Sequence, residues 1–250
     1  MTKKDTSWGK SADWYDKMLS SDDTFQNKVI LPNLLRLMAI EKGDRVLDVG
    51  CGSGFFSREF SRAGAKLVGV DVAKELIKIA KQNVPSADFW VAPAEKMQFI
   101  KNETVDKAVF VLSLQNISDA GAAIAEVSRC LRKDGNLFLV LNHPAFRVPG
   151  GSSWGWDKEN NIQYRRLDSY LSEKRSKIQM HPGKNDSEVT WSFHAPLQYY
   201  FKAFYKNGLL VERLEEWVSH RVTPAGPRKI AENRARAEFP MFLGLVLRKN

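Results

Sequence analysis

The stretch Val46-Leu47-Asp48-Val49-Gly50-Cys51-Gly52-Ser53-Gly54 decides the fold. An apolar run ending beside an acid, then alternate glycines, then Phe55-Phe56, reads as a buried strand, a tight turn and the start of a helix. Such a turn brings backbone N–H groups and one carboxylate up to a nucleotide-like ligand.

The pattern continues outward from this turn. Residues 23–41 carry Val29, Ile30, Leu34, Leu35, Leu37 and Met38 at helical spacing, and Gly43-Asp44 stops that helix. Strands are expected at Val46–Val49, Lys66–Val70, Phe89–Val91, Val105–Val111 and Leu137–Leu141. Helices are expected at Phe55–Ala63, Ala73–Asn83 and Ala120–Leu131. This alternation predicts an α/β fold: a Rossmann-like, doubly wound, mostly parallel seven-stranded sheet with helices on both faces. Ligands of such sheets sit at the carboxyl ends of the strands.

After Asn142 the rhythm breaks. Residues 143–195 hold His143-Pro144, Pro149-Gly150-Gly151, Trp154, Trp156, Tyr164 and Trp191. A segment this long inside a compact domain carries function or its own structure. It reads as an insertion after the fifth strand, with a short helix near 167–175, capping an acceptor site. The alternation returns with a helix at 196–207 and strands at Leu209–Leu214 and Met241–Leu247; the basic segment 221–238 reads as exposed. The expectation is one domain over 1–250, with 1–42 as a helical N-terminal lid.

Composition sets the outer limits. The chain has 250 residues, 43% of them hydrophobic, with 7 Trp and 14 Phe, enough for one full core. No run of 18 apolar residues predicts a membrane span. Met1-Thr2-Lys3-Lys4-Asp5 has no apolar stretch behind its lysines, so no secretory signal is expected. Two cysteines, Cys51 and Cys130, suggest neither a disulfide framework nor a metal site and favour the cytoplasm. The net charge of +9 allows an anionic partner such as RNA without requiring one.

The glycine turn discriminates between ligands. A dinucleotide fingerprint needs G-x-G-x-x-G, but Phe55 stands where the third glycine belongs. Asp48 precedes the glycines and would repel a diphosphate. S-adenosylmethionine carries no phosphate and bears an amino group and a sulfonium, so it suits the turn better. Asp71, ending the next strand about 20 residues on, is spaced for a carboxylate that accepts from ribose hydroxyls. It could instead cap the helix that follows.

With these motifs in hand, the chain resembles the class I S-adenosylmethionine-dependent methyltransferases, of the small-molecule type found in quinone biosynthesis. Val46–Gly54 is similar to that family's first motif, Val68–Val72 to its second and Ala92–Met97 to its third. Val105–Asp119 resembles its fourth strand and following loop, and Leu131–Leu137 the turn into the fifth. The resemblance implies that Asp48 organises the glycine loop and reaches the methionine amino group through water. It implies that Gly50, Cys51, Gly52 and Gly54 place backbone against the methionine portion, Asp71 binds ribose, and Val72 and Leu76 pack on adenine. Ala94 would donate its N–H to the adenine ring. Leu112 to Gln115 would flank the methyl group, and Tyr15 would close over the cofactor. Pro93 stands where the family often has Asp, so either Glu95 takes the adenine amine or adenine is held mostly by packing.

The acceptor is less legible. Ser113-Leu114-Gln115-Asn116-Ile117 lacks the Asn/Asp-Pro-Pro-aromatic motif of base and glutamine N-methylation. His143, Arg147 and His194 are the candidate catalytic or acceptor-contacting residues, and Trp154, Trp156, Tyr164 and Trp191 a candidate aromatic lid. The expected reaction moves a methyl group to an O or N atom of a small metabolite, aromatic or carboxylate-bearing. The alternative is an RNA acceptor, met by arginines 165, 166, 221, 228, 234 and 236. A non-catalytic cofactor-binding module is the third reading.

Overall fold

The computed structural model describes residues 19, 21–179 and 189–250. Its centre is a seven-stranded sheet built from β1 (Arg45–Val49), β2 (Lys66–Asp71), β3 (Asp88–Val91), β4 (Val105–Val111), β5 (Leu131–Asn142), β10 (Leu209–Trp217) and β11 (Phe242–Lys249). The strand order is β10-β11-β5-β4-β1-β2-β3. The pairs β1–β2, β1–β4, β2–β3 and β4–β5 are parallel, and β11 runs antiparallel to both β5 and β10. The seven-stranded, mostly parallel arrangement is the one read from the sequence.

Strand alternation supplies two cores, one on each face. Leu47, Val49, Phe110, Leu139 and Leu141 pack against α4 (Ala120–Cys130) and α5 (Leu197–Lys206) through Ile124, Val127, Tyr200 and Phe204. The intervening residues Val46, Val109, Val111, Phe138 and Val140 face the other way. They meet α1 (Leu31–Met38), α2 (Phe55–Arg62) and α3 (Lys74–Asn83) through Leu34, Met38, Phe56, Phe60 and Ile77. Because β1 neighbours both β2 and β4, the chain leaves it outward on one side and returns on the other. The loops after β1 and β4 diverge and open a crevice at their carboxyl ends.

Between β5 and α5 the chain forms two antiparallel hairpins. One is β6 (Ser152–Asp157) with β7 (Ile162–Leu167); the other is β8 (Lys174–Gln179) with β9 (Val189–His194). The helix expected near 167–175 is absent. Leu167 pairs with Ser152, the Asp168 N–H donates to Gly151 O, and Leu171 is 67% exposed. That backbone is committed to hairpin bonds and has no apolar stripe to bury.

Three further differences have local causes. The first helix begins with a π-helical turn at Gln26–Ile30 and ends early, at Ala39, whose φ of 40° turns the chain out before Gly43. Within the expected N-terminal lid, Val29, Ile30, Leu34 and Met38 are core side chains; Tyr15 lies outside the described residues. A helix, α6 (Lys229–Glu238), occupies the segment read as merely exposed. Its buried face is only Ala231 and Ala235, too weak an apolar signal to see in sequence.

Gly69, in β2, has a different constraint. A Cβ there would overlap the Phe89 ring and stand 3.1 Å from Cys51 Sγ. Gly69→Ala should therefore cost about 1–3 kcal/mol, read as a lowered urea midpoint. Gly226→Ala, with nothing within 4 Å of the new Cβ, should shift stability by less than about 0.5 kcal/mol.

Candidate cofactor and acceptor site

The turn after β1 is built by close approach. Gly50, Gly52 and Gly54 sit at φ 72°, 56° and 82°, where L-residues with a Cβ are strained. A Cβ on Gly50 would overlap Ser113, and one on Gly54 would press the Ala80 backbone at 3.2 Å. The Gly50 and Cys51 N–H groups donate to Val70 O at 2.7 and 3.1 Å, and Ser113 Oγ donates to Val49 O at 2.6 Å. Strands β2 and β4 thus grip the turn from both sides.

Two carboxylates fix its chemistry. Asp48 is buried beneath the turn and accepts from Ser57 Oγ at 2.6 Å. Burial, reinforced by the Asp71 charge and opposed by Ser57, raises its pKa to about 7. Asp71 accepts from Gly52 N at 3.0 Å and Ala73 N at 2.8 Å. Desolvation raises its pKa too, against those N–H bonds. The first turn of α3 has Ala73 at its N-cap, so Asp71 ties the glycine loop to β2 and is not the helix cap.

Above these groups lies a cavity of about 520 Å³, a size ordinary for small-molecule sites. Of the expected cofactor residues, Gly50, Gly52, Asp71, Val72, Leu76, Pro93, Ala94, Glu95 and Leu112 line it together. The set fits S-adenosylmethionine. Side-chain-free glycines leave room for the chain of the methionine portion, Asp71 has further lone pairs at the strand end, and Val72, Leu76 and Pro93 form an apolar slot. Val72 is 44% exposed, which an apolar residue tolerates best where a ligand covers it. Leu112 takes φ 53°, a costly backbone for Leu, at the cavity wall.

Four expected cofactor residues stand behind the wall. Asp48 points down to Ser57; Cys51 is buried against β2, close to Gly69; and Gly54 abuts α3. Gln115 turns inward to accept from Asn142 N at 3.1 Å, pinning the loop after β4 to the end of β5.

The expected catalytic residues are not brought to this cavity. His143 is 3% exposed; its Nδ1 accepts from Ala145 N at 3.2 Å and its Nε2 lies 2.7 Å from Glu216 Oε1. Burial lowers its pKa, opposed by Glu216. Both nitrogens are engaged, and the ring joins the end of β5 to β10. Arg147 is exposed, its N–H closing a turn onto His143 O. His194 Nε2 donates to Tyr170 O at 2.7 Å and lines a second cavity of about 190 Å³ beside the first.

The aromatic candidates also divide. Trp154 packs edge-on against Phe239, and Arg228 lies over Trp156, so β6–β7 docks on the α6 region. Tyr164 crosses over Gly155 within that hairpin. Only Trp191 reaches the main cavity, from β9, with Thr190, Phe193 and Arg175 of the same hairpin. Phe193 and Arg175 were missed. The alternating Lys174–Gln179 and Val189–His194 carry a hairpin signal, obscured by the Pro-Gly-rich sequence around them.

Comparison with known proteins agrees with this geometry. Residues 47–139 match the family model described as a methyltransferase domain. The chain is 37% identical over 134 residues to an uncharacterized protein of Methanocaldococcus jannaschii, covering 52% of this chain and 51% of that one. It is 34% identical over 101 residues to the ubiquinone biosynthesis O-methyltransferase of Xanthomonas oryzae, covering 39% of this chain and 42% of the relative. The matches thus span about half the length of these relatives. An S-adenosylmethionine-dependent methyltransferase structure from Mesorhizobium loti superposes with a TM-score of 0.69 at 22% identity, covering 91% of this chain and 99% of that one. Fold, cavity and family match converge: residues 47–139 resemble a methyltransferase domain, on the fold that S-adenosylmethionine-dependent methyltransferase structures adopt.

Proposed function

We propose that the protein transfers the methyl group of S-adenosylmethionine to an O or N atom of a small metabolite. The observation that carries this reading is the single cavity that joins the Gly50–Gly52 turn and Asp71 to an aromatic hairpin wall. When bound, S-adenosylmethionine supplies a methyl on a sulfonium, a good leaving group. The chain's own residues then have to align and exclude water. Gly50 and Gly52 present backbone to the methionine portion, Asp71 accepts from the ribose hydroxyls, and Glu95 stands beside the slot formed by Val72, Leu76, Pro93 and Ala94. Residues 143–195 act as the acceptor-side cap, through β8–β9. The quinone-biosynthesis relatives support a small acceptor.

RNA as acceptor is the second reading. It rests on the net charge of +9 and on Arg228, Lys229, Arg234 and Arg236 in and beside α6. RNA binding of this kind would weaken steeply with salt.

Titration calorimetry with S-adenosylhomocysteine tests the cofactor half. Wild type should bind, and Asp71→Ala should weaken binding about tenfold or more; no binding by the wild type would sink the reading. Asp48 adds a pH dependence. Below about 7 its carboxyl holds a proton in the ligand-free protein, and the positive charge of a cofactor bound on the far side of the turn favours its release through the intervening backbone, without direct contact. Affinity should therefore rise with pH from about 6 to about 8, and Asp48→Asn should flatten the slope.

The stability of the empty protein should run the other way. The folded pKa is raised above the ordinary 3.8, so between that value and about 7 the folded state holds a proton that the unfolded chain has released. Asp48's contribution is fully present below 3.8 and is lost as pH rises through 7. Urea midpoints of wild type minus Asp48→Asn across this range measure it.

A further inference from the structure

Arg175 holds an unusual position. It lies on β8 opposite Phe193 in register, and its guanidinium sits 3.6 Å above the Trp191 ring and 5.9 Å from that of Phe193. Trp191 and Phe193 are two apart on β9 and so face the same way. Arg175 lines both the 520 Å³ cavity and the adjoining 190 Å³ one, as do Ile117, Ser118 and Phe193.

Its charge has no carboxylate partner among the described residues. Arg36, Arg58, Arg62, Arg129, Arg132, Arg166, Arg213 and Arg248 each pair with Asp or Glu within 4.0 Å. A guanidinium stacked on an aromatic face keeps its planar N–H edge free, in the geometry that matches a carboxylate bidentately. The acids that line the main cavity are Asp71, which ends β2, and Glu95, in the loop after β3. The cavity is therefore acidic at the cofactor end and basic at the hairpin. Glu173 lines only the smaller cavity, and Lys174 there donates to Ser169 Oγ.

Resting on the methyltransferase reading above, we infer that Arg175 is the acceptor-recognition residue and that the acceptor is a planar, negatively charged small molecule. Its anionic group meets the guanidinium edge, and its ring packs in the apolar space between Ile117 and the Trp191–Phe193 face. Asp71 and Glu95 repel the anionic end, so the molecule enters with its uncharged end toward the cofactor. Charge sorting thus orients the acceptor without a dedicated clamp at the reacting atom.

Calorimetry on the full chain saturated with S-adenosylhomocysteine tests this, using benzoate and its neutral isostere benzamide as probes. Wild type should bind benzoate at least about tenfold more tightly than benzamide, the scale of one charge-assisted hydrogen-bonded pair. Arg175→Gln should erase that preference while S-adenosylhomocysteine affinity stays within about twofold. Arg175→Lys, which keeps charge without the planar fork, should retain part of it. Equal binding of the two probes, no saturable benzoate binding, or a preference that survives in Arg175→Gln would each overturn the inference. Failure of the wild type to bind S-adenosylhomocysteine would instead overturn the methyltransferase reading, so the two outcomes are separable.

Discussion

At the carboxyl end of β1 the backbone turns with Gly50 lodged against Ser113 of the neighbouring strand's loop and with two N–H groups spent on Val70. Most of the site follows from that crowding. The turn cannot carry a side chain at Gly50, so ligand can approach the main chain. Asp71 then cinches the loop by accepting from Gly52. The same close fit between β1, β2 and β4 recurs at Gly69, whose missing side chain makes room for Phe89. Cofactor geometry and core packing are thus one constraint met by glycine at several places.

Electrostatics divides the labour within this frame. Burial raises the cost of ionising both Asp48 and Asp71, and the Asp71 charge adds to it at Asp48. Holding two such groups without a compensating cation is a strain on the empty fold. A ligand bearing positive charge at the methionine end relieves it. The hairpin side of the cavity has the opposite sign through Arg175, so one crevice presents two electrostatic environments.

The sequence showed the sheet well because the strands buried on both faces carry unbroken apolar runs, as in Ala108–Val111 and Leu137–Leu141. The glycine turn and Asp71 were legible for a related reason: their residue types answer local backbone and charge demands. The acceptor half was not. His143 looked available because its position after β5 is near the chemistry, but availability depends on Glu216, which β10 brings from far along the chain. Gln115 faces inward because of Asn142, again a non-local bond. Helix α6 and the β8–β9 hairpin were hidden for a different reason. Two alanines make a faint stripe, and proline and glycine nearby suggest loop where strands form.

The placement of β11 has a consequence for how the chain is made. This strand lies between β5 and β10, so β5 has its outer edge open until Phe242–Lys249 has been synthesised. Its partner residues on β5 lie a hundred or more positions earlier. During translation the methyl-donor half, β1 to β5, can collapse while that edge waits unpaired. An apolar open edge of this kind invites pairing with other chains. The late antiparallel strand therefore acts as the closing stitch, and the speed with which it arrives governs how long the nascent sheet is exposed to aggregation.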